Sequence, residues 1–483
     1  MQNRRFPTGA SIIIIGGGAA GSLFALKLAR AQPDLKVILV ERGRRLGRGL
    51  AYGACAPFHL LNVPVQRMEV GLEPRFTDWL ASHKALIADA VSDSDGDLSS
   101  AFIPREFFGQ YLQEQIEAHA LSASPRELRV VRGDAVRLLD PPARGVLLED
   151  GREIHGDGVV LATGNLPPRP PEASGAWLYD TAYFVSDPWA RDAFDGLERD
   201  DPVLFLGTGL TTVDVLLKLA NDGHRGPFLA VSRRGLLPQT HRAGGRWEPF
   251  LQAGAISPSH ALSDVRAEIA RADASGIPWQ RVIDAVRPAV ARLWNNWSLA
   301  ERSQFLRHLR PRWDVVRHRM ARRVSEKLNE LIASGQLQVM AGRLQGCVPA
   351  SRGVETIIRR RSGDEARFVA ARVVNCTGPR GDLAKVGIPL IADLFRRGLI
   401  TADPLALGIE TRDCAAIGSS GTASEWLFAI GPLTRPAWWE ITAVPEINAQ
   451  IDRLVRELTT PKPAGDFHLP PLVDEFTDLG AGI

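Results

Sequence analysis

Several residue types are scarce in this sequence, and each scarcity excludes a class of protein. The four cysteines, Cys55, Cys347, Cys376 and Cys414, lie far apart and form no CxxC pair, which excludes a dithiol redox motif and a zinc knuckle. No stretch of about twenty apolar residues occurs, and the apolar run at residues 12–15 breaks at once into glycines, so neither a membrane span nor a secretory signal is predicted. We therefore expect a cytoplasmic protein.

Neither sign of charge dominates the chain. With 58 basic and 55 acidic residues the formal net charge is +3, too near balance to indicate a protein that binds nucleic acid through its phosphates. The histidines lack metal-ligand spacing, so we predict no metal site. A length of 483 residues, 45% of them hydrophobic, indicates a globular chain with two or more domains.

The first fifty residues contain a strand, a glycine turn, a helix and a second strand. GxGxxG follows the strand at residues 11–15, and Glu41 comes 20 residues after its last glycine, at the end of the next strand. This context predicts a dinucleotide site, with the pyrophosphate at the helix N-terminus and the carboxylate on a ribose. The alternative is a glycine-rich turn that binds nothing. The expected contacts are Gly16, Gly18, Ala19, Ala20, Gly21, Glu41 and Arg42.

A second strand and glycine turn begin at residue 203, with Thr212 in the place of the third glycine. The two glycines nearest a pyrophosphate are kept, whereas close packing of the helix is compromised. The following strand ends in two arginines instead of an acidic residue, which favours NADPH because arginine pairs with a 2′-phosphate. The alternative is that arginine is simply common in this chain. The expected contacts are Gly207, Gly209, Ser232, Arg233 and Arg234.

The order of these motifs resembles the flavoprotein oxidoreductases with two dinucleotide-binding domains, and especially the flavin-dependent monooxygenases. In that family an FAD fingerprint is followed by an ATG-type strand, a nested NADPH domain and a second such strand that returns to FAD. The corresponding segments here are residues 16–21, Ala162-Thr163-Gly164, residues 207–212 and Asn375-Cys376-Thr377-Gly378-Pro379.

A closer resemblance lies in residues 51–53 (AYG), 59–64 (HLLNVP) and Arg67-Met68, which are similar to the FAD-NAD(P)-binding family related to bacterial N-hydroxylating monooxygenases. The Baeyer–Villiger pattern FxGxxxHxxxW is absent before the second glycine turn. Gly431 is followed by proline, where many relatives have an aspartate that binds the ribityl chain. The resemblance also implies a helix from residue 438 to 458 whose N-terminal end points at the flavin ring.

These features predict an α/β fold with two Rossmann-like dinucleotide-binding domains, a discontinuous one for FAD and a nested one for NADPH. The expected segments are 1–168 for the first part of the FAD domain, 169–345 for the NAD(P)H domain with a helical insertion at about 255–335, 346–460 for the second part of the FAD domain, and 461–483 for a tail. By the resemblance, Thr163, Gly164, Thr377, Gly378 and Gly431 also contact a cofactor.

Other site residues are predicted with alternatives left open. Relatives place the loop of Asn62 and Arg67 beside the isoalloxazine ring, where Asn62 could bind flavin or substrate and Arg67 an anionic group; ordinary loop capping is the alternative. His241, Arg317 and His318 are substrate candidates. A solvated helix face, ion pairs between domains and a structural histidine are the alternatives to these roles.

The resemblance implies an NADPH-dependent monooxygenase that uses molecular oxygen, through a C4a-(hydro)peroxyflavin, to insert one oxygen atom into a small nucleophilic substrate. One alternative is an FAD-dependent reductase or dehydrogenase without oxygen insertion. Another is a non-catalytic flavin-binding interaction protein, which a decayed second glycine turn at Thr212 would favour. The sequence leaves the substrate and the oligomeric state open.

Overall fold

The computed structural model of the chain describes residues 5–122, 128–251, 254, 256–379 and 381–460. The predicted tail at residues 461–483 lies outside the described residues. The strands are β1 (Ser11–Ile15), β2 (Lys36–Glu41), β3 (Leu128–Arg132), β4 (Ala135–Leu138), β5 (Gly145–Leu148), β6 (Glu153–His155), β7 (Gly158–Leu161), β8 (Phe184–Val185), β9 (Val203–Leu206), β10 (Phe228–Ser232), β11 (Leu337–Pro349), β12 (Val354–Arg360), β13 (Glu365–Ala370), β14 (Arg372–Asn375), β15 (Thr411–Arg412), β16 (Ala415–Ile417) and β17 (Ala423–Ala429).

The helices lie between these strands and in one long insertion. They are α1 (Ala19–Ala31), α2 (Gly49–Gly53), α3 (Phe76–Ala81), α4 (Lys84–Ser92), α5 (Glu106–Ser122), α6 (Leu210–Asn221), α7 (Pro258–Ala274), α8 (Trp279–Asn296), α9 (Leu299–His308), α10 (Arg310–Arg317), α11 (Arg322–Ala333), α12 (Pro389–Arg396) and α13 (Val444–Thr459). Short 3-10 turns occur at Val65–Met68, Ala176–Asp180, Leu383–Lys385 and Gly431–Thr434. Within the described residues, none of the helices has the length and apolar character needed to cross a membrane.

The first sheet has the order β15-β16-β17-β7-β1-β2-β3. Strand β1 pairs in parallel with β2 and β7, and β17 continues the parallel arrangement beside β7. Three isoleucines of β1, Ile12, Ile13 and Ile14, are fully buried because helices or loops cover both faces of a parallel sheet. The carboxyl ends of β1, β2, β7 and β17 therefore meet at one edge, which is where open α/β sheets bind ligands.

The second sheet has the order β13-β12-β11-β10-β9-β14-β8 and contains the second βαβ unit, β9-α6-β10. Strand β14 pairs in parallel with β9 and β8, while β11 to β13 form an antiparallel extension. The predicted return to the first domain at residue 346 is therefore too early. By sheet membership the return follows Asn375, because the chain from Leu337 onward stays in the second sheet until β14 fills the place between β9 and β8.

The helical insertion, α7 to α11, packs against the segment that follows β17. Trp294 of α8 stacks on Trp439 with ring centroids 4.5 Å apart, and its indole Nε1 donates to the carbonyl oxygen of Pro436 at 2.8 Å. Both tryptophans are buried in one apolar cluster. This contact fixes α8 and α10 next to the start of α13 and so determines which of their side chains meet it.

Candidate cofactor and substrate site

The first glycine turn has a geometry that only glycine allows. Gly16 has a φ of +106°, and a Cβ there would lie 2.5 Å from the carbonyl oxygen of Ala162. A Cβ at Gly21 would overlap the carbonyl oxygen of Gly16. No side chain caps α1 at Gly18, so the amides of its first turn, which includes Ala19 and Ala20, are open to an anion.

Glu41 is held against this turn by two backbone amides. Its Oε2 accepts from the amide of Gly17 at 2.5 Å, and its Oε1 accepts from the amide of Gly43 at 2.6 Å. The carboxylate therefore lies at the carboxyl end of β2, where the sequence predicted a contact to ribose. Arg42, by contrast, is largely exposed, and its guanidinium lies 3.8 Å from Asp134 at the surface.

The ends of β7 and β17 complete the edge of the first sheet. The hydroxyl of Thr163 is buried and has no hydrogen-bond partner within the described structure, and the space around Gly164, whose φ is +72°, is open. Gly431 lies beside α1, because a Cβ there would be 3.8 Å from that of Ala20. An unsatisfied hydroxyl and open glycines at a helix N-terminus fit the polar ADP half of FAD.

The segment after Gly431 is tied to α13 by hydrogen bonds. The Gly431 amide donates to Oε1 of Gln450 at 2.7 Å, and Nε2 of Gln450 donates to the Thr434 hydroxyl at 2.8 Å. Helix α13 begins at Val444 and not at residue 438, with Pro445 in its first turn, a position that suits proline. Its N-terminal end holds Glu446, which faces arginines of the helical insertion.

The second glycine turn keeps its shape although its third glycine is Thr212. Gly207 has a φ of +122°, and a Cβ there would overlap the carbonyl oxygen of Cys376. The Thr212 hydroxyl donates to the carbonyl oxygen of Gly207 at 2.9 Å, while a Cβ at Gly209 would meet nothing within 4 Å. Thr212 therefore supports the turn with a hydrogen bond, where a third glycine would only let the helix pack closely. The turn stays open to a pyrophosphate.

The side chains predicted to recognise the 2′-phosphate follow β10. The Ser232 hydroxyl accepts from the Thr208 hydroxyl at 2.9 Å and from the Gly235 amide at 3.0 Å, so it supports the turn. Arg233 is exposed, and Nη2 of Arg234 donates to the carbonyl oxygen of Arg307 at 3.2 Å. Both guanidinium groups follow the strand end at which Rossmann domains recognise the ribose.

Thr377 and Gly378 lie at the second glycine turn and not at the FAD edge. They follow β14, whose last residue, Asn375, is opposite Leu206 of β9. The Thr377 hydroxyl donates to Oδ1 of Asn375 at 2.8 Å. The prediction that this strand returns directly to FAD is corrected, because β14 stands beside β9 as β7 stands beside β1. Each glycine turn thus packs against the residue that precedes a Thr-Gly pair.

Most of the predicted site residues outside the two glycine turns line a cavity of about 550 Å³. Asn62, Arg67, His241 and Arg317 line it, whereas His318 is not among its lining residues. The pKa of His318 is lowered by burial and by the neighbouring Arg317. The basic side chains that line the cavity are Arg67, Arg242, Arg281, Arg287, Arg317, Arg319, Arg322 and Arg323.

His241 joins the two predicted loops across this cavity. Its Nε2 lies 3.0 Å from the carbonyl oxygen of Asn62, and its ring packs against Phe102 with centroids 4.8 Å apart. Burial and the nearby Arg319 lower the pKa of His241 to about 3. The imidazole is therefore neutral at physiological pH, and Nε2 carries the hydrogen because a carbonyl oxygen can only accept.

Arg317 is engaged in buried ion pairs. Its guanidinium lies 2.9 Å from Glu440 and 2.9 Å from Glu446, and Glu446 also pairs with Arg287 at 2.6 Å. The alternative of ion pairs between domains therefore describes Arg317. Sequence reasoning missed Arg287 and Glu446.

A second buried cluster is centred on Asp284 of α8, the helix that also carries Arg287. Asp284 pairs with Arg319 at 2.5 Å and with Arg281 at 3.3 Å. Sequence reasoning missed Asp284 and Arg281 as well. The spacing of three residues between Arg281, Asp284 and Arg287 on α8 is the signal that could have found both clusters.

Arg67 differs from these arginines because no carboxylate among the described residues forms an ion pair with it. In the part of the chain that the structure describes, its guanidinium forms no hydrogen bond or ion pair with another residue. Burial lowers the pKa of Arg67, and Asp284, Arg317, Arg281 and Glu446 lie near enough to influence it. Its side chain therefore lies near both buried clusters.

Two mixed sheets, each with a parallel core that has a glycine turn at its carboxyl edge, define a flavoprotein fold with two dinucleotide-binding domains. Residues 13–166 match the FAD-NAD(P)-binding family, which confirms the predicted cofactor domain in this part of the chain. No curated protein matches the sequence.

Similar solved structures confirm the predicted fold over nearly the whole chain. Ornithine N-hydroxylase from Kutzneria sp. 744 is 14% identical with a TM-score of 0.64, over 93% of this chain and 99% of that one. L-lysine 6-monooxygenase from Pseudomonas syringae is 17% identical with a TM-score of 0.63, over 93% and 99%. Ornithine hydroxylase from Pseudomonas aeruginosa is 15% identical with a TM-score of 0.62, over 93% and 98%.

Proposed function

We propose that the protein is an FAD-dependent oxidoreductase that takes electrons from NADPH and inserts one oxygen atom of O2 into a small nucleophilic substrate. The observation that carries the proposal is the combination, in one chain, of two open glycine turns with a cavity whose lining includes neither of them. Two dinucleotide sites match a flavin and its reductant, and the cavity matches a third, smaller molecule. Bound FAD supplies the hydride acceptor and the oxygen chemistry, and the protein supplies binding and orientation.

The residues divide into three groups under this proposal. Gly16, Gly18, Gly21, Glu41 and Thr163 hold the ADP half of FAD, with the first-turn amides of α1 on its pyrophosphate. The second group holds NADPH and consists of Gly207, Gly209, Arg233, Arg234, Thr377 and Gly378. The third group faces the substrate and consists of Asn62, Arg67 and His241.

A hydrogen bond between His241 and the backbone of Asn62 holds both residues in place at the cavity. The imidazole donates to the Asn62 carbonyl, which fixes the loop while leaving the Asn62 side chain without a partner in the described structure. An amide that carries both donors and an acceptor can orient a polar substrate. The neutral imidazole adds no charge to the cavity.

The alternative of a non-catalytic flavin-binding protein rested on the loss of a glycine at Thr212. The Thr212 hydroxyl donates to the Gly207 carbonyl and maintains the turn, so this argument loses its basis. Solved structures with the same fold include an ornithine N-hydroxylase and an L-lysine 6-monooxygenase, which supports oxygen insertion over simple electron transfer. We also propose that the reaction takes place in the cytoplasm, since the cysteines are unpaired.

The proposal is tested with the purified, FAD-loaded chain mixed anaerobically with NADPH or NADH and then with oxygenated buffer that contains candidate substrates. We expect faster bleaching of the flavin by NADPH than by NADH, and a product that carries label from isotopically enriched oxygen gas. Reduction with reoxidation to hydrogen peroxide under every condition would favour the reductase alternative. Flavin binding without reduction by either nucleotide would favour the interaction protein.

A further inference from the structure

The two dinucleotide-binding domains meet at a buried ion pair on α6, the helix that begins at the second glycine turn. Nη1 of Arg105 donates to Oδ2 of Asp214 at 2.6 Å, and each side chain is 16% exposed. Arg105 precedes α5, in the connection between β2 and β3 of the first sheet, whereas Asp214 lies on α6, between β9 and β10 of the second sheet. The pair therefore joins one domain to the other.

A second hydrogen bond from the same connection ends on the same residue of α6. Nε2 of His59 lies 2.9 Å from the backbone carbonyl oxygen of Asp214. Nδ1 of His59 accepts from the Ala56 amide at 3.0 Å, so the hydrogen is on Nε2 and the imidazole donates to the carbonyl. Burial lowers the pKa of His59, in agreement with a neutral ring. Asp214 is thus held by two groups of the first domain, one at its side chain and one at its backbone.

Aromatic rings cover this contact. The Arg105 guanidinium lies 5.1 Å from the ring centroid of Trp189, and the His59 ring packs edge-on against Trp189 at 5.9 Å and against Phe58 at 4.9 Å. A buried ion pair adds little net stability over apolar side chains of similar size, but breaking it is costly because one charge is left buried without a partner. The contact therefore resists movement of α6 away from the first domain.

The segment that holds Asp214 continues into the loop that lines the cavity. Backbone hydrogen bonds pair residues 59–66 with residues 99–105, among them one from the Arg105 amide to the His59 carbonyl at 2.8 Å. Asn62, which lines the cavity, lies inside this paired segment. The helix of the second glycine turn and the substrate loop are therefore connected through Asp214.

The same helix presents the second nucleotide site. No side chain caps α6 at Gly209, so the amides of its first turn are open to a pyrophosphate. Asp214 follows Leu210, the first helical residue, by four positions, which is about one helical turn. A helix moves as a rigid element over so short a distance, so a shift at Asp214 displaces the glycine turn with it.

We infer that Asp214 is a positioning residue for reduction of the flavin: by holding α6 against Arg105 and His59, it sets where NADPH meets the FAD of the first domain. The inference rests on the proposed function, in which NADPH at the second glycine turn reduces FAD at the first. Hydride transfer requires a narrow range of distances between the reacting atoms, and a displacement of about 1 Å can lower a rate about 100-fold. Asp214 is not among the predicted contacts of either cofactor, so its loss should change the rate of reduction and not the affinity for NADPH.

Anaerobic stopped-flow reduction of the FAD-loaded protein tests the inference with Asp214→Asn, which removes the charge and keeps the size of the side chain. We expect the rate constant of flavin reduction at saturating NADPH to fall at least about tenfold. The Kd of NADP⁺ from calorimetry should change less than about twofold. Reduction by dithionite should match the wild type, because the flavin site is intact. A purely structural contribution would lower stability without this split between rate and affinity.

Matched variants locate the effect. Asp222→Asn makes the same substitution on the same helix at an exposed pair with Lys218, and its rate of reduction should equal that of the wild type. Arg105→Gln should reproduce the slow reduction, and the double variant Arg105→Gln/Asp214→Asn should be no slower than either single variant, since both changes remove one interaction. The double variant leaves neither charge buried without its partner, so the test holds even if a single variant fails to fold.

Hydrogen–deuterium exchange gives a second readout that needs no nucleotide. In the FAD-loaded protein, the amides of residues 59–66 should exchange faster in Asp214→Asn than in the wild type, because the loop loses its contact to α6. Asp222→Asn should exchange as the wild type does.

Three kinetic results would overturn the inference: reduction of Asp214→Asn by NADPH as fast as that of the wild type, a slower rate that saturating NADPH restores, or an equal loss of rate with dithionite. The second would mean that Asp214 acts on affinity, and the third that it acts on the flavin site. Unchanged exchange of residues 59–66 in Asp214→Asn would contradict the inference alone. A wild type that neither NADPH nor NADH reduces would contradict the proposed function as well, so the two failures are distinguishable.

Discussion

Protonation of His241 makes the stability of the protein depend on pH in a direction that the structure determines. Burial and Arg319 lower the pKa of His241 to about 3 in the folded protein, whereas an unfolded histidine titrates at about 6.5. Between these values the unfolded chain binds a proton that the folded chain does not. The contribution to stability is complete above pH about 6.5 and is lost as the pH falls toward about 3.

The magnitude follows from the same two pKa values. Each pH unit below the unfolded pKa costs about 1.4 kcal/mol, so acidification from about pH 7 to about pH 5 removes about 2 kcal/mol through His241. His241→Gln removes the titrating group and retains a side-chain N–H for the Asn62 carbonyl. The variant should therefore lose about 2 kcal/mol less than the wild type over this interval.

Urea unfolding of the FAD-loaded wild type and variant at both pH values measures this difference. Other buried histidines contribute equally to both proteins and cancel. His155→Gln, at a side chain that is 65% exposed, is the matched control and should follow the wild type. Equal losses of unfolding free energy in wild type and His241→Gln would refute the reasoning and show that His241 is solvated or already charged.

Three further predictions concern the cofactor sites. Glu41→Ala removes the acceptor of the Gly17 amide and should lower FAD affinity about 10- to 100-fold, measured as flavin retained on dialysis; full retention would contradict this. Thr212→Val removes the hydrogen bond to Gly207 and should raise KM for NADPH about fivefold while flavin content stays constant; a lower flavin content would move its effect to the first domain. Arg234→Gln should raise KM for NADPH about tenfold and leave KM for NADH unchanged, and equal changes would argue against a 2′-phosphate contact.

The first glycine turn could be predicted from the sequence because its constraints are local. Gly16 needs a positive φ and Gly21 must pack against the Gly16 carbonyl, so both requirements fall within six residues of the chain. Glu41 is likewise fixed by one βαβ unit. The second turn was harder to predict, because Thr212 breaks the pattern and only its side-chain hydrogen bond shows that the turn is kept.

The boundary between the second sheet and the rest of the first domain could not be found in the same way. Val373 and Val374 are fully buried, as any central parallel strand would be, and their pattern is equally suited to either sheet. Only the pairing of β14 with β9 and β8 assigns it to the second sheet. Strand pairing depends on contacts between distant parts of the chain, which hydrophobic periodicity does not encode.

The cavity shows the same limit at the level of single side chains. Arg67 and Arg317 are both plausible anion ligands in the sequence, yet only their partners decide which one is available. Stacking of Trp294 on Trp439 brings α10 to the start of α13, where Glu440 and Glu446 neutralise Arg317. Arg67 lies on a different loop, and no described carboxylate pairs with it, so packing between distant segments separates two arginines that look equivalent in the sequence.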